Sequence, residues 1–144
     1  MTQRTCPCGE RPAPGDGDIR VLVVDDHPLV RSTLTDLLSD EPGLTVVGAC
    51  EDGSQVVEAV ERLRPEVVLM DLSMPVMNGV AATEALRAIR PGPRVVVLTA
   101  EPDARPEVEA AGGSALLPKD LRSGALLECV RTVVVGCGCC PYCL

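Results

Sequence analysis

Four short runs of apolar residues each end at a polar residue suited to metal or phosphate chemistry. The runs are 21–24 before Asp25 and Asp26, 67–70 before Asp71, 95–98 before Thr99, and 115–118 before Lys119. Continuous branched apolar runs of this length, with helical segments between them, predict strands of a parallel sheet buried on both faces.

The carboxyl ends of parallel strands lie at one edge of a sheet, where open α/β sheets bind ligands. Three carboxylates, one hydroxyl and one ammonium are therefore expected to meet in one crevice. Carboxylates bind a hard divalent cation, and the cation, the lysine and the threonine together can hold a phosphoryl group.

The remaining segments alternate between strand and helix patterns. We expect strands at about 19–24, 44–50, 67–71, 94–99 and 114–118, with helices from Pro28, from about 52, at 80–90 and at about 122–135. The segment 101–113 contains two prolines and two glycines, which predicts a short, mobile helix. Five strands alternating with five helices predict an α/β protein with a flavodoxin-like, doubly wound, five-stranded parallel sheet in the order 2-1-3-4-5.

Four motifs occur in a fixed order. They are VLVVDDHPLVR at 21–31, VVLMDLSMPVMNG at 67–79, VVVLTA at 95–100 and LLPKD at 116–120. Together they resemble the response-regulator receiver domain of two-component signalling, over roughly 19–135. The motif VDDHPLVR is most similar to the corresponding motif in the branch of the family that usually carries a helix-turn-helix output domain. We expect no such domain here, because the chain has no room for one.

The resemblance implies a role for each polar residue at the strand ends. Asp71 would be the phosphoacceptor, and a carboxylate is a competent nucleophile for phosphorus. Mg²⁺ would be bound directly by Asp26, Asp71 and the backbone carbonyl of Ser73, with Asp25 acting largely through water. Thr99 and Lys119 would contact the phosphoryl oxygens. His27, the only histidine, is expected to be an exposed loop residue before the first helix.

One position departs from the family pattern. The residue three before the lysine is often aromatic in receiver domains, and it reports phosphorylation to the surface around the fifth strand. Here it is Leu116. We therefore expect phosphorylation to be retained and its conformational readout to be weaker or different. Pro118 lacks a backbone donor, which predicts that the fifth strand lies at a sheet edge.

Net charge and the pattern of apolar residues restrict which partners and which location are expected for this chain. The 144 residues carry a net charge of −8, which argues against binding to nucleic acid or a membrane surface. The first residues show no signal peptide, and no run reaches the roughly 20 apolar residues of a membrane span, so a cytoplasmic protein is expected. The expected partners are a histidine kinase or phosphotransfer protein and an unknown downstream protein.

The chain ends are rich in cysteine. We expect a flexible arm at 1–18, a receiver domain at 19–135 and a cysteine-rich tail at 136–144. Cys50 and Cys129 fall on inward positions and are expected in the core. Six cysteines have spacings plausible for Zn²⁺, an iron–sulfur cluster or a redox site, with a disordered remnant as the alternative: Cys6, Cys8, Cys137, Cys139, Cys140 and Cys143.

The leading hypothesis is therefore a phospho-acceptor receiver domain that signals through protein contacts or serves as a phosphate sink, and not an enzyme. A metal- or thiol-redox-sensing module on a receiver scaffold is the alternative. An aspartate-nucleophile phosphatase is disfavoured because its Asp-x-Asp spacing is absent, with Ser73 at the second position.

Overall fold

The computed structural model describes residues 3–5, 12–74, 76–100, 102–120, 122–135 and 142–144, with the backbone alone for 3–5, 12–16 and 102. The strands are β1 (Gln3–Thr5), β2 (Pro12–Asp16), β3 (Ile19–Val24), β4 (Leu44–Cys50), β5 (Val67–Asp71), β6 (Arg94–Thr99) and β7 (Ala115–Pro118). The helices are α1 (Pro28–Ser39), α2 (Val56–Leu63), α3 (Gly79–Leu86), α4 (Arg105–Ala111) and α5 (Ser123–Val135).

The main sheet has five parallel strands in the order β4-β3-β5-β6-β7. In this sheet β3 is the first strand along the chain and β4 the second, so the predicted order 2-1-3-4-5 is confirmed. The central strand β5 is buried along its whole length, as a strand covered on both faces must be.

Two apolar clusters cover the two faces of the sheet. Side chains from α1 and α5 pack on one face, and side chains from α2, α3 and α4 pack on the other. Successive residues of β3 alternate between the clusters, with Val21 and Val23 in the first and Leu22 and Val24 in the second. Cys50 and Cys129 are buried, as expected.

The helices that follow β3 and β5 begin at capping side chains. Nδ1 of the exposed His27 accepts from Val30 N–H at 3.4 Å, and Pro28 takes the first turn of α1. Asn78 Oδ1 accepts from Ala81 N–H at 2.9 Å at the start of α3. These caps fix the first residues of α1 and α3 at the edge of the sheet where the strands have their carboxyl ends.

Helix α3 ends before the predicted residue 90. After Leu86 the backbone makes tighter i to i+3 bonds, from Arg87 N–H to Glu84 O and from Ile89 N–H to Leu86 O. Pro91 follows, and its missing backbone N–H and its ring disfavour continuation of the helix. Helix α4 is short, as predicted, with seven residues after a single 3₁₀ turn.

The chain ends carry pairing that the sequence did not predict. Within the segment interpreted as a flexible arm, β1 and β2 form an antiparallel pair. Within the tail, Tyr142 O accepts from Leu116 N–H at 3.1 Å, and Leu144 N–H donates to Ser114 O at 3.0 Å. Residues 142–144, expected only as part of the cysteine-rich tail, therefore pair with β7 through an isolated antiparallel bridge between Ala115 and Cys143. The cause is β7, which is the last strand of the sheet, as Pro118 predicted, and offers open backbone groups to any nearby chain.

Across the parts of the chain that are described, every helix is too short or too polar to cross a membrane.

Candidate functional site

The predicted polar residues meet at the carboxyl edge of the sheet. Asp25 follows β3, Asp71 ends β5, Thr99 ends β6 and Lys119 follows β7. Asp25, Asp26 and Asp71 each offer a carboxylate oxygen, and these oxygens lie within 4.8 Å of one another. The sheet topology alone brings these residues together from distant parts of the sequence.

Asp25 is the most deeply buried member of this carboxylate cluster, with 0% of its surface exposed. Its Oδ1 accepts from His27 N–H at 2.8 Å, whereas Oδ2 is buried and has no hydrogen-bond partner among the described residues. Burial raises the pKa of Asp25, the His27 hydrogen bond opposes this, and the negative charge of Asp71 raises it further. A buried carboxylate oxygen without a donor, beside two other carboxylates, fits a bound cation.

Asp71 forms an ion pair with Lys119. The distance from Lys119 Nζ to Asp71 Oδ1 is 2.8 Å, and the aspartate side chain is 3% exposed while the lysine side chain is 40% exposed. Burial lowers the pKa of Lys119, but the hydrogen bond to Asp71 and the charges of the three carboxylates outweigh burial and raise it. The ammonium therefore stays protonated and places a positive charge against Asp71 in the carboxylate cluster.

Two clefts are lined by residues at the carboxyl ends of the strands. One, of about 580 Å³, is lined by Thr99, Leu116 and Lys119 among others. The other, of about 500 Å³, is lined by Asp26 and Ser73 together with residues of α3 and α4. Lys119 N–H donates to Thr99 O at 2.9 Å, which fixes the end of β7 beside the end of β6. Leu116 is half-buried and lines the first cleft together with Thr99, and it is paired with Val97 on the neighbouring strand β6.

Three residues near the site were missed by sequence reasoning. Arg31 Nη1 donates to Asp25 O at 2.8 Å, and Glu107 lines the second cleft. Asp52 binds the loop that follows Asp71, through Val76 N–H at 3.0 Å and Met77 N–H at 3.1 Å. The only sequence signal for Asp52 was its position before a helix. That position predicts a helix cap, but it does not predict hydrogen bonds to the distant residues Val76 and Met77.

The predicted cysteine site falls largely outside the described residues. Cys6, Cys8, Cys137, Cys139 and Cys140 lie there, and only Cys143 is described, in its antiparallel bridge with Ala115. A zinc or redox site at the chain ends therefore stays a prediction, which elemental analysis of the purified protein would test.

The chain is similar to a large set of known proteins. The sequence family described as "Response regulator receiver domain" matches residues 21–131. The chain is 38% identical over 123 residues to transcriptional regulatory protein DegU of Brevibacillus brevis, covering 84% of this chain and 52% of that protein. It is 39% identical over 120 residues to response regulator GacA of Pseudomonas aeruginosa, covering 82% and 56%.

A solved structure agrees with these sequence matches. The response regulator domain of Thermotoga maritima CheB superposes with a TM-score of 0.74 at 32% identity, covering 81% of this chain and 96% of that one. The chain spans about half the length of the curated regulators it matches.

Proposed function

Because the chain belongs to the response regulator receiver domain family, we propose that it accepts a phosphoryl group on Asp71 and signals through protein contacts. Receiver domains are generally non-enzymatic signalling modules, and response regulators interact with histidine kinases and phosphotransfer proteins. The observation that carries the proposal is the 2.8 Å ion pair between Asp71 and Lys119 beside the carboxylate cluster.

The proposed reaction transfers a phosphoryl group from a phosphohistidine. An Asp71 carboxylate oxygen attacks phosphorus, the new O–P bond forms as the P–N bond breaks, and the leaving imidazole keeps the electron pair and takes up a proton. Lys119, which contacts the free Asp71 carboxylate before the reaction, would then contact the phosphoryl oxygens. The Thr99 hydroxyl would donate a hydrogen bond to one of these oxygens. The buried surroundings strengthen these charge interactions relative to water.

Receiver domains bind Mg²⁺ at the acidic phosphorylation site. In this chain Asp25, Asp26, Asp71 and the backbone carbonyl of Ser73 are the groups that would hold the ion, and the unpartnered Asp25 Oδ2 supports this. When bound, Mg²⁺ neutralises the negative charge that the acceptor and the phosphoryl donor bring together.

The metal site has its own test. Mg²⁺ is expected to raise the melting temperature by mass action, and Asp26→Ala is expected to weaken that effect more than Asp25→Ala. Asp36→Ala, which changes an exposed carboxylate on α1, is the matched control. A melting temperature unaffected by Mg²⁺ up to tens of millimolar would contradict the site as described.

The functional unit in this proposal is the receiver domain at 19–135, with the segments at 1–18 and 136–144 outside it. A histidine kinase or phosphotransfer protein is the proposed phosphodonor, a protein is the proposed downstream partner, and direct nucleic-acid or membrane binding is not proposed. A cytoplasmic location, typical of the family, belongs to the same proposal.

Phosphorylation by a small donor tests the acceptor. Incubation with acetyl phosphate and Mg²⁺ is expected to add one base-labile phosphoryl group, measured by intact-protein mass. Asp71→Asn is expected to remove the added mass, whereas Asp36→Asn, an isosteric change on the surface of α1, is expected to keep it. Equal labelling of wild type and Asp71→Asn would reject Asp71 as the acceptor.

A further inference from the structure

Asp52 connects two segments that are distant in the sequence. It follows β4, is 8% exposed, and accepts three backbone hydrogen bonds. Oδ1 accepts from Ser54 N–H at 2.8 Å and from Met77 N–H at 3.1 Å, and Oδ2 accepts from Val76 N–H at 3.0 Å. The Ser54 bond is a local cap, whereas the other two reach 24 and 25 residues along the chain.

Gly53 lets these segments approach closely. A Cβ at this position would overlap the carbonyl oxygen of Met77 and would lie 3.1 Å from the Cβ of Ala82. Backbone therefore packs against backbone here, and any larger residue would push the two segments apart.

The segment reached by Asp52 is the loop that leads from Asp71 to α3, residues 72–78. The base of this loop is closed by Gly79 N–H, which donates to Leu72 O at 2.7 Å. Its far end at Val76 and Met77 is held by the carboxylate of Asp52. Ser73 lies in the sequence between Leu72, which is bonded to Gly79, and Val76, which is bonded to Asp52. These two attachments therefore restrict where the Ser73 backbone carbonyl can lie.

The carboxylate is well suited to this role. The backbone N–H of Ser54 lowers the pKa of Asp52, and the N–H groups of Val76 and Met77 lower it further. Asp52 is therefore charged at neutral pH, and hydrogen bonds to a charged acceptor are stronger than those between neutral groups.

We propose that Asp52 is a positioning residue for the phosphorylation site, which holds the 72–78 loop so that the Ser73 carbonyl can serve the metal beside Asp71. The inference rests on the proposed function, since it assumes phosphorylation at Asp71 with Mg²⁺. It is distinct from a capping role, because a cap needs only the bond to Ser54.

Three substitutions separate positioning from capping. Asp52→Ser keeps a good capping hydroxyl but is too short to reach Val76 and Met77. Asp52→Asn keeps one carbonyl oxygen and places an amide donor against at least one backbone N–H. Asp52→Ala removes all three bonds. Mg²⁺ affinity and the rate of labelling are expected to be highest in the wild type, lower in Asp52→Asn, and lowest in Asp52→Ser and Asp52→Ala, which should be similar to each other.

The measurements are Mg²⁺ affinity from melting temperature against Mg²⁺ concentration, and the initial rate of acetyl phosphate labelling. Asp52→Ser is expected to weaken both by roughly 10- to 100-fold, the usual effect of losing a residue that orients metal ligands. Amide hydrogen exchange at Val76 and Met77 is expected to accelerate in Asp52→Ser, while exchange at Ser54 stays slow.

Val130→Ala is the control for general loss of stability, since Val130 is fully buried on α5 against the other face of the sheet. It is expected to lower the melting temperature without changing Mg²⁺ affinity. Wild-type affinity and labelling in Asp52→Ser would overturn the inference and leave Asp52 as a cap, even if Asp52→Ala fails to fold. Absence of labelling in the wild type would instead reject the proposed function.

Discussion

Replacing Asp25 with asparagine is expected to stabilise the protein in the absence of divalent cations. Asp25 Oδ2 is buried and lacks a hydrogen-bond donor among the described residues, and the Asp25 carboxylate has an oxygen within 4.8 Å of oxygens of Asp26 and Asp71. The amide of Asp25→Asn keeps an oxygen for His27 N–H and puts an uncharged NH₂ group in place of the unpartnered Oδ2. One change therefore removes an unsatisfied acceptor and a repulsive charge.

The size of the effect follows from the burial. Leaving a buried polar group unsatisfied costs about 1–3 kcal/mol, so Asp25→Asn is expected to raise the free energy of unfolding by about that much. For a chain of this size the melting temperature would rise by about 3–10 °C. In Mg²⁺ the wild type is expected to gain about 1.4 kcal/mol at ten times its Kd, and it recovers the part of that gain that Asp25→Asn, which keeps Asp26 and Asp71, does not share.

The assay is thermal and urea unfolding of wild type and Asp25→Asn, in EDTA and in Mg²⁺. Asp36→Asn makes the same chemical change on the exposed face of α1 and is expected to alter stability by less than about 0.5 kcal/mol. A lower stability of Asp25→Asn than of wild type in EDTA, with no change in stability for Asp36→Asn, would contradict the reasoning. It would show that the buried Asp25 carboxylate is not the main destabilising feature of this cluster.

Three further outcomes are expected. The lowered pKa of Asp52 means that its contribution to stability is present above its ordinary value of 3.8 and is lost as the pH falls through the folded-state pKa; the stability difference between wild type and Asp52→Asn in urea unfolding should therefore shrink toward pH 3. Deleting residues 142–144 should speed amide exchange at Leu116, whose N–H donates to Tyr142 O, and leave Lys119 N–H protected by Thr99 O; unchanged exchange at Leu116 would show that the pairing is absent in solution. Beryllofluoride should change exchange across 102–120 only slightly, since Leu116 offers no ring to follow Thr99, and a large protection change there would show that the switch works without one.

The sequence by itself determined the sheet and the convergence of the site. Runs of branched apolar residues specify buried parallel strands, and parallel strands bring their carboxyl ends to one edge whatever the intervening helices do. For this reason the places of Asp25, Asp71, Thr99 and Lys119 could be predicted without any knowledge of side-chain contacts.

Only the tertiary structure decided how the site is supported. Asp52 has the same local pattern as any helix cap, and its bonds to Val76 and Met77 depend on the approach of two loops that no short-range signal records. The pairing of residues 142–144 with β7 is of the same kind, because an open strand edge accepts backbone groups irrespective of side chain. Burial of Asp25 Oδ2 without a donor likewise depends on the packing of the folded chain around the end of β3, which no local sequence signal records.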